Sequence, residues 1–386
     1  MSDDEVLTRA IDKILPSKEG LAALMKKRKI SIYLGIDPSN PQIHLGNAVV
    51  LRKLRQFQDL GHKVILLIGD FTGMIGDPTN KTATRSRLSK KQVLENAKTY
   101  KEQASKILNF NGSNPAEIKF NSQWLSKLTL EDLTELSSHL TVGQLEERDM
   151  FVARKKEGKP IFLHEFLYPL MQGYDSVAMD VDLEVGGTDQ TFNMLVGRQL
   201  MKILKDKEKY VLTVPLLLGT NGQKMGKTSE NFIPIMDTPA DMYGKIMSIR
   251  DDLITQYFEL TTDVGQESID MEKPMEAKKK LALEIVKIYH GEKTAQETQS
   301  EFEKVHQKGE TPASPEEVKG TGQSILEFLI KNNFASSTTV AKNLISSKSI
   351  DINNQTVTDR NTKVNKNDII KIGKKKTVKV GYTPRV

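Results

Sequence analysis

Apolar residues follow two alternating periods along the first part of the chain. Ser31-Ile-Tyr-Leu-Gly-Ile36 is a short, mostly apolar run that predicts a buried strand, closed by the loop formers Asp37-Pro38-Ser39-Asn40-Pro41. From Asn47 onward the period lengthens. Val50, Leu54 and Phe57 recur at i, i+4 and i+7, and Gly61 stands where a helix C-cap is expected. Lys63-Val-Ile-Leu-Leu-Ile-Gly69 then reads as a strand buried on both faces, as in a parallel sheet. The result is a β-α-β unit. Such units place ligands beyond the carboxyl ends of their strands, so the loops after the two strands are expected to share a crevice.

The arrangement recurs downstream. Val181-Asp-Leu-Glu-Val185 predicts a strand, Gly186-Gly-Thr-Asp-Gln190 a loop, and the following residues a helix to about Leu204. Tyr210 to Leu218 is a further strand candidate, running into the loop Gly219-Thr-Asn-Gly-Gln-Lys-Met-Gly-Lys-Thr-Ser229. Beyond Pro239 the pattern turns helical, with Leu281, Ile285 and Ile288 on one face and Gly291 at its end. Residues 308–322 are rich in Gly, Pro, Ser and charge, which is linker composition. The expected organisation is a Rossmann-like parallel-sheet α/β domain with a connective insertion over 1–235, an α-helical domain over 236–307, a linker over 308–322 and a small α+β domain over 323–386.

Composition fits a folded, multidomain chain: of 386 residues, 38% are hydrophobic and 27% charged, and no apolar run approaches the length of a membrane span. The acidic start Met1-Ser2-Asp3-Asp4-Glu5-Val6 has neither the basic, apolar pattern of a signal peptide nor the Arg-rich character of a transit peptide, so a cytoplasmic location is expected. With no cysteine, thiolate metal sites and cysteine nucleophiles are excluded. The net charge of +6 is unevenly spread. Residues 321–386 hold 12 Lys and Arg against 4 Asp and Glu, a net +8, which leaves −2 for the remainder. A basic tail with the run Lys371-Ile-Gly-Lys374-Lys375-Lys376-Thr-Val-Lys379 suits contact with nucleic-acid phosphates, although a solvated lysine loop accounts for it equally well.

Two loops carry candidate chemistry. Pro41-Gln-Ile-His44-Leu-Gly46-Asn47 lies where a strand hands over to a helix: Gly46 permits close backbone approach, the helix N-terminus attracts anions, and His44 can donate to a phosphate oxygen. A lone His before a helix is more often a cap or a surface group. Lys224-Met-Gly-Lys227-Thr228 sets two Lys three residues apart on a glycine loop, suited to following the charge that develops on departing pyrophosphate. Alone it reads as a solvated loop; the two together are specific.

At these positions the chain resembles the class I aminoacyl-tRNA synthetases, whose paired signatures correspond to His44-Leu-Gly-Asn47 and Lys224-Met-Gly-Lys-Thr228. Tyr33-Leu-Gly-Ile-Asp37-Pro-Ser39, Gly73-Met-Ile-Gly-Asp77-Pro78, Tyr168-Pro-Leu-Met-Gln172-Gly-Tyr-Asp175 and Gly186-Gly-Thr-Asp189-Gln190 resemble successive signatures of the bacterial tyrosyl-tRNA synthetases. The resemblance implies activation of L-tyrosine with ATP, accompanied by Mg2+, and transfer to tRNA(Tyr) by a homodimer. It implies that Tyr33 and Asp175 bind the tyrosine hydroxyl, that Asp77, Tyr168 and Gln172 surround its ammonium, and that Gln190 meets its carboxylate. Asp37, Ser39, His44, Gly46 and Asn47 would adjoin ATP, with Gly187 and Asp189 at the ribose. Lys81, Arg85, Lys224, Lys227 and Thr228 would serve the phosphates. No protein metal ligand is implied. Asn47 departs from the histidine usual there, yet its amide can still donate.

The tail resembles a small RNA-binding domain named after a small-subunit ribosomal protein, through Ile325-Leu-Glu-Phe-Leu, Val340-Ala-Lys342-Asn-Leu-Ile345, Ile350-Asp-Ile-Asn353 and Asp368-Ile-Ile-Lys371. Its usual basic and glycine positions hold Ser337, Lys348 and Asn354. The resemblance implies RNA contact by Lys342, Lys348, Lys374, Lys375 and Lys376. Three rivals stay open on sequence: a tryptophanyl-tRNA synthetase, a small-molecule nucleotidyltransferase and a non-catalytic RNA-binding paralogue.

Overall fold

The structure is a computed structural model, and it describes residues 2–79, 88–226, 231–307, 316–373 and 376–381. The chain divides into two compact units, Met1–Ala295 and Gln296–Val386.

The first unit is built on a sheet of β1 (Lys13–Leu15), β2 (Ser31–Ile36), β3 (Lys63–Ile68), β4 (Glu117–Phe120), β5 (Leu183–Gly187) and β6 (Tyr210–Val214), in the order β1-β6-β5-β2-β3-β4. β1 runs antiparallel to β6; the other neighbours are parallel. Every side chain of β3 after Lys63 is buried, as its unbroken apolar run requires. Helix α1 (Leu45–Asp59) connects β2 to β3 and buries Val50, Leu54 and Phe57, while Gly61 takes a positive φ just beyond it. Helix α2 (Leu163–Met179) precedes β5, and α3 (Thr191–Lys205) connects β5 to β6. From β2 the chain moves outward through β3 to β4; from β5 it moves the other way, to β6. The loops after β2 and β5 therefore diverge from a topological switch point, the place where such a sheet opens a binding crevice.

Two expectations need correction. The strand predicted over Tyr210 to Leu218 ends at Val214, because Pro215 has no N–H to continue the ladder. The helices after residue 236, α4 (Pro239–Met247), α5 (Ile254–Thr261) and α6 (Pro274–His290), share a compact unit with the sheet up to Ala295 and are not set apart from it. Leu281 and Ile285 of α6 are fully buried, and α5 contacts both α6 and α1. An apolar helical face reveals burial, but not which neighbour covers it.

The second unit has α7 (Ile325–Lys331) and α8 (Thr338–Ser346) and the strands β7 (Glu316–Lys319), β8 (Ile350–Ile352), β9 (Gln355–Thr356), β10 (Ile369–Ile372) and β11 (Lys376–Gly381), in the order β7-β11-β10-β8-β9. Ile325, Phe328, Ile345, Ile350, Ile370 and Val378 belong to its core. β7 falls inside the expected linker 308–322. Its parallel pairing with β11, Val318 opposite Val380, makes Glu316–Lys319 part of the fold, a tertiary effect that local composition cannot show. Residues 308–315 lie outside the described residues.

Candidate active site

A cavity of about 590 Å³ opens at the switch point, lined from the ends of β2, β3 and β5, from α2, and from the loop carrying Lys224. The loops after β2 and β3 do share it.

Its deep end is closed and polar. Tyr33, on β2, is fully buried, and its hydroxyl lies 2.9 Å from the Ser176 hydroxyl on α2. Asp175, one residue earlier, is also buried; it accepts hydrogen bonds from Trp124 Nε1 at 2.7 Å and Asn121 Nδ2 at 3.2 Å. Burial pushes the Asp175 carboxyl well above its ordinary value, against the opposing pull of Trp124 and Asn121. Burial and the Glu184 carboxylate raise the Tyr33 phenol, which keeps its proton. Tyr33 and Asp175 line the same cavity, but each is held by other partners.

The remaining expected side chains interlock along the walls. Tyr168 donates to Asp37 Oδ2 at 2.9 Å, and Thr72 donates to Asp37 Oδ1 at 2.7 Å. Burial raises the Tyr168 phenol, so it stays a donor. Gln190 donates to Asp77 Oδ2 at 2.7 Å, and Thr79 to Asp77 Oδ1 at 2.6 Å; Arg148 in turn donates to the Thr79 hydroxyl at 2.9 Å. Gln172 donates to Glu184 at 3.0 Å.

The mouth is more open. His44 is the N-cap of α1: its Nδ1 accepts from the Asn47 N–H at 3.4 Å, while Asn47 Oδ1 accepts from the His44 N–H at 3.2 Å. A neutral ring bonded this way carries its proton on Nε2. Burial and the Lys224 charge lower the imidazole to about 4, so His44 acts as an uncharged donor near neutral pH. A Cβ on Gly46 would come within 3.0 Å of His44 Nδ1, which is why this position suits glycine. Capping and facing the cavity are therefore compatible for His44.

Lys224 ends on Asp189 Oδ2 at 2.6 Å, joining the second signature loop to the loop after β5. The two signature loops are tied through backbone: Leu45 N–H donates to Ile233 O, and Ile235 N–H to Ile43 O. Buried Asn231 organises the second loop, donating to Asn221 Oδ1 and to the Gln223 and Lys224 carbonyls, and accepting from the Gly226 N–H.

Ser39, Gly46, Asn47 and Gly187 also line the cavity. Lys81, Arg85, Lys227 and Thr228 lie outside the described residues, as do Lys374 and Lys375 of the tail. Lys342 and Lys348 are exposed in the second unit, and Lys376 sits 5.9 Å from the Phe334 ring centroid. Among the described residues, no group of three or more His, Cys, Asp and Glu gathers to hold a metal ion, and no helix is long and apolar enough to cross a membrane. Sequence reasoning missed Asn121, Trp124, Ser176, Glu184 and Asn231. Trp124 is the chain's sole tryptophan, and Glu184 interrupts an otherwise apolar strand; both were visible signals.

Residues 25–307 match the family of tRNA synthetases class I (W and Y). This chain belongs to that family. Residues 305–379 of this synthetase match the tyrosine–tRNA ligase SYY-like C-terminal domain. The tyrosine–tRNA ligase of Thermotoga maritima is 43% identical over 389 residues, covering 97% of this chain and 96% of that relative. That of Carboxydothermus hydrogenoformans is 45% identical over 402 residues, covering 97% of each chain. Among solved structures, a C-terminally truncated mitochondrial tyrosyl-tRNA synthetase of Aspergillus nidulans shares the fold with a TM-score of 0.66 at 21% identity, covering 79% of this chain and 94% of that one. The tyrosyl-tRNA synthetase of Archaeoglobus fulgidus complexed with L-tyrosine aligns with a TM-score of 0.60 at 22% identity, covering 77% and 98%. The family uses ATP as substrate.

Proposed function

We propose a division of the tyrosine–tRNA ligase reaction among the residues of this cavity. The reaction follows from family membership and from the ligases aligned over nearly the whole chain: L-tyrosine and ATP give tyrosyl-adenylate and pyrophosphate, and tyrosine then passes to the 3′ end of tRNA(Tyr). The carrying observation is the deep end, where a buried carboxylate aligned by Trp124 and Asn121 sits beside a buried phenol. A substrate hydroxyl there would use the acceptor capacity that Asp175 keeps beyond Trp124 and Asn121, which an apolar side chain would leave unmet. Tyr33 and Asp175 take the phenol; Asp77, Tyr168 and Gln172 surround the ammonium; Gln190 adjoins the carboxylate.

ATP occupies the mouth in this reading. Asp37, Ser39, His44, Gly46 and Asn47 approach the phosphates, Gly187 and Asp189 the ribose, and Lys224, Lys227, Thr228, Lys81 and Arg85 the polyphosphate end. The tyrosine carboxylate attacks the α-phosphorus, the bond to pyrophosphate breaks, and the departing charge meets the His44 Nε2–H and the lysines. No protein nucleophile is needed. The cavity carboxylates are engaged by protein donors, Asp37 by Thr72 and Tyr168 and Asp77 by Thr79 and Gln190, which supports Mg2+ arriving with the ATP phosphates rather than in a protein cage. It would neutralise phosphate charge there.

The basic tail, through Lys342, Lys348, Lys374, Lys375 and Lys376, holds tRNA phosphates in this reading. A homodimer is supported by exposed Val142, Phe162 and Leu163 in the Thr141 to Phe166 region. The enzyme is read as cytoplasmic, where tRNA is charged. ATP–pyrophosphate exchange with tyrosine, tryptophan and phenylalanine in parallel tests the substrate: exchange is expected with tyrosine, and exchange with tryptophan alone would overturn the assignment.

A further inference from the structure

Beneath the cavity lies a charged pair that the reaction scheme does not use. Lys209, which opens the approach to β6, is fully buried, and its ammonium donates to Glu184 Oε2 and to the Met194 carbonyl at 3.1 Å. Glu184, on β5, is buried as well and lines the cavity, where its other oxygen receives Gln172. The ammonium also sits 5.8 Å from the Tyr33 ring centroid. Room for it is made by Gly197 on α3, where a Cβ would fall 2.7 Å from Lys209 Nζ and 2.9 Å from Ser176 Oγ, the hydroxyl that holds Tyr33. One cation thus bonds Glu184, which holds Gln172, and lies against the ring of Tyr33 at the phenol end of the pocket.

The chemistry explains why a cation belongs there. Asp37, Asp77, Asp175 and Glu184 all line the cavity, and a buried carboxylate without a partner would protonate or repel its neighbours. An ammonium held by Glu184 removes that charge from the total facing the substrate. Burial pulls the Lys209 ammonium below its ordinary value, while Glu184 pulls it up.

We propose that Lys209 and Glu184 are a positioning pair for tyrosine: Lys209 neutralises and anchors Glu184, which fixes Gln172 beside the substrate ammonium and keeps the pocket floor electrically balanced. This rests on reading the cavity as the tyrosine site. It assigns function to Lys209, a residue outside the signature motifs.

The test is tyrosine-dependent ATP–pyrophosphate exchange by full-length wild type, Glu184→Gln, Lys209→Met and the double variant, with KM measured for tyrosine and for ATP and folding followed by thermal melting. Each single variant leaves one buried charge unpaired and is expected to raise the tyrosine KM about tenfold or more, with the ATP KM within about twofold. The double variant keeps an acceptor for Gln172 and removes both charges, so its tyrosine KM is expected to return to within about threefold of wild type. A pair that only supports the fold would shift melting without separating the two KM values. Folded single variants with an unchanged tyrosine KM would overturn the proposal. A double variant that folds but stays as impaired as the singles, or one that cannot fold, would also overturn it. If the singles do not fold, the double variant alone decides by the same criteria. Wild type without tyrosine-dependent exchange would instead sink the underlying site reading.

Discussion

The two ends of the cavity are built on opposite principles. At the deep end Tyr33 is fully buried, and Asp175 is fixed by two N–H donors from the turn after β4. At the mouth, the Lys224 side chain is 50% exposed and ends on Asp189. In the proposed division the deep end discriminates a hydroxyl from a hydrogen with polar groups held dry, so that a wrong substrate leaves part of their hydrogen-bonding capacity unmet. In the same division the mouth follows charge that appears only in the transition state, so a cation there gains from reach rather than enclosure. The difference predicts which variants disturb recognition and which disturb the chemical step.

The largest effect is expected at the deep end. Asp175→Asn replaces one carboxylate acceptor by an amide facing the Trp124 and Asn121 donors, and kcat/KM for tyrosine in exchange is expected to fall about 10³-fold. A loss smaller than tenfold would mean that this carboxylate does not recognise substrate. Lys224→Met should act on the chemical step, lowering kcat of exchange about 10²-fold with little change in the tyrosine KM. A rise in tyrosine KM with normal kcat would erase the distinction between the two ends.

The smallest effect concerns stability against pH. Folded His44 takes up its proton near pH 4, whereas the ordinary value is 6.5. Unfolding therefore binds a proton in this window, so stability should fall as pH drops from 6.5 toward 4 and be flat below, for this group. Allowing for partial exposure, the total is about 2 kcal/mol. Denaturant titrations from pH 4 to 7 should show a shallower dependence in His44→Asn; identical slopes would place the imidazole in water rather than against Lys224.

Much of this architecture is legible in sequence, for identifiable reasons. β2, α1 and β3 announce themselves because each buries a regular set of apolar positions. β1 and β4 do not: one is Lys13-Ile-Leu15, the other Glu117-Ile-Lys-Phe120, and both are edge strands whose pairing comes from a distant neighbour. The signature residues of the cavity are readable as motifs, but their immediate partners are not. Asn121 and Trp124 reach Asp175 only because β4 joins the sheet beside β3. Lys209 meets Glu184 across two adjacent strands, and Asn231 acts through backbone groups that carry no side-chain signature. Motifs show which groups line the cavity; the groups that hold them belong to the tertiary fold.

Equilibrium tyrosine binding without ATP, followed by calorimetry for wild type, Asp175→Asn and Lys224→Met, tests the division most directly. Wild type and Lys224→Met are expected to bind tyrosine with equal affinity, while Asp175→Asn loses measurable binding. Equal loss in both variants would contradict the separation of recognition from chemistry.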